Sequence, residues 1–317
     1  MNFIIKCLCL VTYFFSSAIF GETTFGYISH STINIGDDIQ SIAVKRFLPS
    51  NAVPIDREFI HEFNCNSPVK AVVSGWFMHM KGGYWELPCS PPETSWPPSS
   101  QIDPFFISIH LTGQFQSTVF SEENIDYLKN HSPIGARDLY TLKLLQENSI
   151  PSYFSGCLTL TLENNYTERN DIIYLVDLDK ATIRYIQSKV SSPTVIITHG
   201  KPLLQFLSPE HRLKYAESIL DLYRKAKCVI TTRLHAALPC LAFKTPILML
   251  DSIDGGDEPR FGGLIDHTWH CSRRMLCEGK MDYDFDHPPE NPTSYLPIRE
   301  NLIKIMTNWV QKNYKEN

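Results

Sequence analysis

Between residues 171 and 250, short runs of β-branched and apolar residues alternate with segments whose apolar positions recur at three and four. No other feature of the chain restricts its fold as much. The runs are DIIYLVD (171–177), PTVIITH (193–199), KCVITT (227–232) and TPILML (245–250). Between them lie ATIRYIQSK (181–189), a longer segment opening at Ser208, and HAALPCLAF (235–243). Ser208 fits an N-cap, with Pro209 at the first helical position and Glu210 in the first turn. Leu213, Ala216, Ile219, Leu220 and Tyr223 then share one face. Strands apolar throughout are buried on both faces, and parallel neighbours need a crossover that a helix supplies. The pattern predicts βαβ units in a doubly wound, parallel α/β lobe.

The first half repeats this architecture with more decoration. Helices are expected over DDIQSIAVKRFL (37–48), EENIDYLKN (122–130) and, capped by Asp138, LYTLKLLQEN (139–148). Strands are expected over KAVVSGW (70–76), DPFFISIH (103–110) and PSYFSGC (151–157). The proline-rich stretch ELPCSPPETSWPPSS (86–100) reads as a surface loop. At 317 residues the chain exceeds one ordinary core, which stops growing at about 250–300 residues. An N-terminal lobe over 22–165 and a C-terminal lobe over 166–290 are expected, divided near the asparagine-rich stretch 163–170. A last helix within 291–317, with Leu302, Ile305, Met306 and Trp309 on one face, is expected to dock on a lobe.

Residues 1–21 stand apart. Lys6 precedes an apolar run, Cys7 to Phe20, shorter than the roughly 20 residues of a membrane span and suited to a signal peptide. Ile19 with Gly21, or Ser16 with Ala18, supplies the cleavage site. The expectation is a secreted or exported protein. The alternatives are an uncleaved single-pass anchor, the one route here to a membrane, and a cytosolic chain with an apolar start. Cys7 and Cys9 belong to this segment. Cys228 and Cys240 lie in apolar runs and read as buried thiols, while Cys65 with Cys89 and Cys271 with Cys277 are candidate disulfides. Asn165-Tyr166-Thr167 has the pattern of a glycosylation acceptor. A net charge of −5 carries no basic excess and argues against nucleic acid as a partner.

Open parallel sheets bind ligands beyond the carboxyl ends of their strands, where helix N-termini present free N–H groups. The residues there are Arg233 and His235 after KCVITT, His199, Gly200 and Lys201 after PTVIITH, and His79 after KAVVSGW. His110 ends FFISIH, Arg137 follows HSPIGA, and Thr159 follows SYFSGC. Such a gathering of Arg, His and Lys predicts a cleft for an anion bearing carboxylate or phosphate groups. Thr232 is the candidate cap of the next helix, Arg233 offers bidentate donors, and His235 exchanges a proton near neutral pH. The plainer reading makes Arg233 an ion-pair partner and His235 a capping residue. Asp251, Asp254 and Asp257 follow a strand and are candidate cleft residues. Trp76 and Trp96 are candidate platforms for sugar rings, with core burial the alternative for Trp76.

GDDIQSIAVKRFLP (36–49), SGWFMH (74–79), PIGARDLYTLKLL (133–145), YFSGCLTLTL (153–162), VITTRLHAALPCLAFKTPILML (229–250) and EPRFGGLIDH (258–267) carry a resemblance. Over about residues 34–270 the chain resembles the polysaccharide pyruvyl transferase family. The resemblance implies two Rossmann-like doubly wound lobes, paired in a GT-B-like way around a central cleft. It also implies transfer of the enolpyruvyl group of phosphoenolpyruvate to saccharide hydroxyls as a pyruvate ketal. By motif, Arg137 and Arg233 grip the donor anion, His235 is the general acid, His110 contacts phosphate or acceptor, and Arg260 of the EPRF block lines the cleft. The donor is a substrate, so neither cofactor nor metal is implied.

Two other readings stay open. Asp177-Leu178-Asp179 has the DxD spacing with which metal-dependent glycosyltransferases hold Mn²⁺ or Mg²⁺ and a nucleotide sugar. Asp282, Asp284 and Asp286 also alternate, though His287 stands where an EF-hand needs Gly. Solvated loop acids are the plainer reading of both clusters. The other alternative is a non-catalytic protein that binds a glycan or anion; the joint presence of Arg137, Arg233 and His235 argues for catalysis.

Overall fold

The computed structural model describes residues 23–77, 96–111, 116–251 and 259–315. β1 (Thr24–Ser29), β2 (Val53–Asp56), β3 (Val69–Phe77), β4 (Ile102–Leu111), β5 (Ile134–Ala136) and β6 (Ser152–Phe154) form one sheet. Its order is β2-β1-β3-β4-β5-β6, with every pairing parallel. α1 (Ile35–Lys45), α2 (Gln116–Val119), α3 (Glu122–Asn130) and α4 (Leu139–Glu147) fall between these strands in sequence. β7 (Ile173–Val176), β8 (Thr194–Ile197), β9 (Cys228–Thr231), β10 (Ile247–Leu250) and β11 (Trp269–Cys271) form a second sheet, also parallel, ordered β11-β10-β9-β7-β8. α5 (Lys180–Gln187), α6 (Pro209–Lys225), α7 (Leu234–Ala242) and α8 (Arg273–Cys277) connect or follow them, and α9 (Leu296–Lys315) closes the described chain.

The expected mixed α/β architecture with parallel sheets is therefore present, and it is Rossmann-like. In both sheets the first strand has the second on one side and the third on the other. The strand order reverses between β1 and β3, and again between β7 and β9. A crevice opens at such a switch point, outside the carboxyl ends of the strands.

Alternation along each strand sends side chains to opposite faces. Tyr27 joins a cluster that also holds Ile35 and Ile39 of α1, Leu220 and Tyr223 of α6, and Leu234 and Leu238 of α7. Its neighbour Ile28 joins Ile55, Val73, Phe106 and Leu145 on the other face of the first sheet. Ile173, Ile186 and Leu250 pack likewise outside the second sheet. The middle cluster thus draws on both sheets.

Polar contacts lock the two halves where that cluster ends. Arg212 of α6 is 1% exposed and holds Asp38 of α1 through Nε–Oδ1 (2.9 Å) and Nη2–Oδ2 (2.7 Å). Its Nη1 donates to the carbonyls of Thr32 (2.6 Å) and Leu204 (2.7 Å). Beside it, the Ile35 N–H donates to the His199 carbonyl (2.9 Å) and the Lys201 N–H to the Ile33 carbonyl (2.8 Å). α9 reaches the first sheet, where Trp309 stacks on Phe105 with 5.0 Å between ring centres. It is tied to α7 by the Tyr295 hydroxyl, which donates to the Leu241 carbonyl (2.8 Å).

Several local expectations change. β1 and β2 were not expected as strands, because TFGYIS carries a glycine and VPID a proline. Pro54 is tolerated because β2 is an edge strand. Trp96 is core, not a sugar platform: it packs between Phe77, Phe106 and Tyr127. Cys271, buried at the end of β11, and Cys277, exposed on α8, are free thiols rather than a disulfide, since the helix turns Cys277 outward while Cys271 enters the outer core. Cys228 and Cys240 are buried, as expected. Cys89, His79, Asp254, Asp257 and the apolar segment 1–21 lie outside the described residues. Among the described residues no helix is long and apolar enough to cross a membrane.

Candidate active site

The carboxyl ends of both sheets contribute to one cleft. Asn34, Gly36 and Asp37 from the start of α1, Trp76 from the end of β3 and Arg137 after β5 form its first-sheet wall. His199 after β8, the Arg233-Leu234-His235 run between β9 and α7, and Arg260 complete it. Trp76 and Arg233 each stand at a switch point.

Two helices present their N-termini here. Asn34 caps α1, its Oδ1 accepting from the Gly36 N–H (3.0 Å). The N-cap of α7 is Arg233, not Thr232, whose hydroxyl donates instead to the Asp177 carbonyl (3.0 Å). No side chain caps α7, so its first N–H groups remain as donors for an anion. Gly36 brings the helices together. A Cβ there would stand 3.3 Å from the His235 Cβ and 3.4 Å from His199 Nδ1.

Arg137 is 1% exposed. Its Nε has no hydrogen-bond partner among the described residues and only the ion pair with Asp138 at 3.5 Å. Arg233, which lines the cleft, is pinned by Nε to Asp177 Oδ2 (2.7 Å). Asp177 accepts the His199 N–H as well (3.1 Å) and has φ of 52°, a left-handed conformation that Asp tolerates better than most residues. Arg260 lies over the Trp76 ring at 5.5 Å.

His199 and His235 differ in support but share one electrostatic state. His199 Nε2 meets the Tyr223 hydroxyl at 2.7 Å, while Nδ1 has no hydrogen-bond partner among the described residues. Burial, then the Arg233 charge, brings its pKa down to about 4 although Asp177 pulls the other way. His235 Nε2 is likewise unpartnered among the described residues. Burial and the neighbouring Arg137, His199, Arg260 and Arg233 hold its pKa well below the usual 6.5. The empty cleft thus contains neutral imidazoles among guanidinium groups.

The remaining expected residues separate by position. His110 stands behind the wall, Nδ1 on Asp138 Oδ2 at 2.7 Å and its ring edge-on to Trp76 at 5.8 Å. Asp138 also caps α4 through the Thr141 N–H (2.9 Å), so this dyad backs Arg137 rather than facing a ligand. Thr159 is fully buried beside Cys157 and does not line the cleft. Gly200 forms a bridge with Asn34, and Lys201 lies over the Tyr215 ring at 5.0 Å, both outside the wall. Asp251 lines an adjoining hollow of about 520 Å³ with Asp177, Thr232 and Arg273; Arg233 and Arg260 border both spaces. Trp76 had been singled out with core burial as its alternative; it is half-buried and on the wall. Asn34, Gly36 and Asp37 were not singled out, although the N-cap pattern Asn-x-Gly-Asp before an apolar run was the available signal.

The acidic clusters have other work. Asp179 caps α5, accepting from Ala181 N–H (2.9 Å), Thr182 N–H (3.0 Å) and Thr182 Oγ1 (2.6 Å). Asp286 accepts from Ser191 and Ser192, and Asp284 from the N–H groups of Asp286 and His287. Among the described residues no group of His, Cys, Asp or Glu has the arrangement of a metal site.

Fold and cleft together define an α/β protein with an arginine- and histidine-lined cleft at the switch points of two parallel sheets. The family model for polysaccharide pyruvyl transferase matches residues 34–254, from the cap of α1 to just past β10. The chain belongs to the polysaccharide pyruvyl transferase family, as its sequence blocks led us to expect. Membership supports pyruvyl transfer to glycans and implies a saccharide acceptor. No curated protein is matched by the chain.

Proposed function

We propose that the protein moves the enolpyruvyl group of phosphoenolpyruvate onto two hydroxyls of a saccharide, closing a pyruvate ketal and releasing phosphate. Pairing of the two sheets is read here as the GT-B-like arrangement. The observation that carries the reading is the pair of buried ring atoms His199 Nδ1 and His235 Nε2, without hydrogen-bond partners among the described residues, in a cleft that Arg137 and Arg233 also line. Each such atom costs about 1–3 kcal/mol while it stays unpaired, so an anion that pairs them is bound at a discount.

Phosphoenolpyruvate carries a carboxylate and a phosphate on a short frame and needs two separated cationic sites. Arg137 and Arg233, from opposite sheets, suit that need. His199 with hydrogen on Nδ1 is a third donor, the Tyr223 hydroxyl then donating to Nε2. Donor charge also reverses the field at His235. Neutral in the empty cleft, the ring gains a proton once the anion offsets the arginines around it. The His235 imidazolium then protonates the methylene carbon, carbon 2 becomes electrophilic, and a saccharide hydroxyl attacks it. Departing phosphate is stabilised by the arginines and the N–H groups of α7, while a second hydroxyl closes the ring. The scheme uses phosphoenolpyruvate as substrate and invokes no cofactor.

The test is phosphate release from phosphoenolpyruvate with and without a panel of saccharides, with the ketal methyl followed by NMR. Acceptor-dependent release with a new methyl singlet is expected. Folded protein that binds phosphoenolpyruvate yet releases no phosphate with any acceptor would instead be a non-catalytic anion binder.

A further inference from the structure

Resting on that donor reading, we propose that Asp37 is the general base for the attacking saccharide hydroxyl, on an acceptor face it shares with Trp76. Ketal closure removes two hydroxyl protons while the methylene carbon gains one, so the acid His235 requires a base nearby. Asp37 is the one carboxylate among the described residues that lines the cleft. Asp138, held by His110 and Thr141, and Asp177, held by Arg233 and the His199 N–H, stand close by but do not line it.

Placement favours the role. Asp37 follows Gly36, whose Cβ position lies within 3.4 Å of both His199 Nδ1 and His235 Cβ. His235 and Asp37 therefore stand at the N-termini of α7 and α1, which meet at Gly36 beside the cleft that both residues line. Thr32 Oγ1 donates to Asp37 Oδ2 (3.0 Å), Asn34 Nδ2 to Oδ1 (3.3 Å), and Arg57 Nη2 stands 3.6 Å from Oδ2. These contacts fix the carboxylate's rotamer. Trp76 lies on the same wall and offers an aromatic face to the apolar side of a sugar ring. Its Nε1 has no hydrogen-bond partner among the described residues.

In the first step the hydroxyl O–H bond breaks, its proton goes to the Asp37 carboxylate, and its oxygen bonds carbon 2 as carbon 3 takes the His235 proton. The carbon 2–oxygen bond to phosphate then breaks and the second hydroxyl oxygen takes its place. Of the two protons released, one replaces that given by His235 and the other leaves on hydrogenphosphate.

Asp37→Asn, nearly isosteric, tests this with calorimetry of phosphoenolpyruvate binding beside steady-state turnover. The expected result is a donor Kd near that of wild type and kcat lower by about 10²–10⁴-fold. Asp37→Glu keeps a base and should recover part of the turnover; equal loss in both variants contradicts the base role. Trp76→Leu should raise the acceptor KM by about tenfold or more and leave donor Kd unchanged. Wild-type turnover in Asp37→Asn overturns the assignment, as does joint loss of donor binding, turnover and melting temperature, which marks a structural residue. A wild type that binds no phosphoenolpyruvate is a different failure: it removes the donor reading and this proposal with it.

Discussion

Burial and the surrounding arginines hold His235 neutral, and in the proposed reaction it is the donor anion that offsets them and charges the ring. His235→Ala is expected to lower turnover by about 10²–10⁴-fold while donor binding persists, measured by paired kinetics and calorimetry. Equal loss of affinity and turnover would show that the ring holds the donor instead. Arg137, Arg233 and His235 were legible as cleft residues because each comes within four residues of a strand's carboxyl end. His110 was over-read for the same reason: position after a strand does not reveal that Asp138 and Thr141 hold the ring behind the wall. Asp37 was passed over because an acid in the first turn of a helix already has an explanation in the helix dipole. Thr159 followed a strand in sequence but turned into the core with the short 3-10 turn that carries it.

At the level of elements, α1 does more than cover a sheet. It supplies the wall at its N-terminus and, one residue past Asp37, the Asp38 that Arg212 of α6 clamps. Arg212→Ala would leave the buried Asp38 carboxylate without its charged partner and remove a donor from the Thr32 and Leu204 carbonyls, of which Leu204 keeps the Leu207 N–H. A loss of about 3–5 kcal/mol in unfolding free energy is expected from denaturant titration. A loss under about 1 kcal/mol, the size of an exposed pair, would contradict the clamp. This pairing was invisible in the sequence, since its members lie 174 positions apart and each alone reads as a solvated helix charge. β7, β9 and β10 were legible because buried parallel strands are apolar throughout, and β8, an edge strand with Val195 and Ile196 exposed, was legible from its β-branched run alone. β1 and β2 were not, as Gly26 and Pro54 interrupt short strands whose order comes from their neighbours.

Across the whole molecule, two sheets share one strand order although no internal repeat is visible in the sequence; topology is kept by apolar patterning, which many sequences satisfy. The cleft between them stores pH dependence. His199 titrates at about 4 in the folded state against 6.5 ordinarily, and His30 and His235 are lowered as well, by burial first. Over that interval the unfolded chain binds more protons, so their contribution is complete above about 6.5 and lost as pH falls toward 4. Asp38, which burial raises to about 6 against the pull of Arg212, and Asp56, which burial also raises, slope the other way, but burial lowers His110, His131 and His267 too, so the histidines outnumber them. Urea midpoints should therefore fall from pH 7 to pH 4.5; a flat or rising series would contradict neutral histidines in the fold. The central claim is tested most directly by calorimetric titration of the protein with phosphoenolpyruvate in two buffers of different ionisation enthalpy. Binding with proton uptake, weakened about tenfold or more in Arg233→Ala, is the expected result. No binding by folded protein, or binding indifferent to Arg233→Ala and Arg137→Ala alike, would contradict the account.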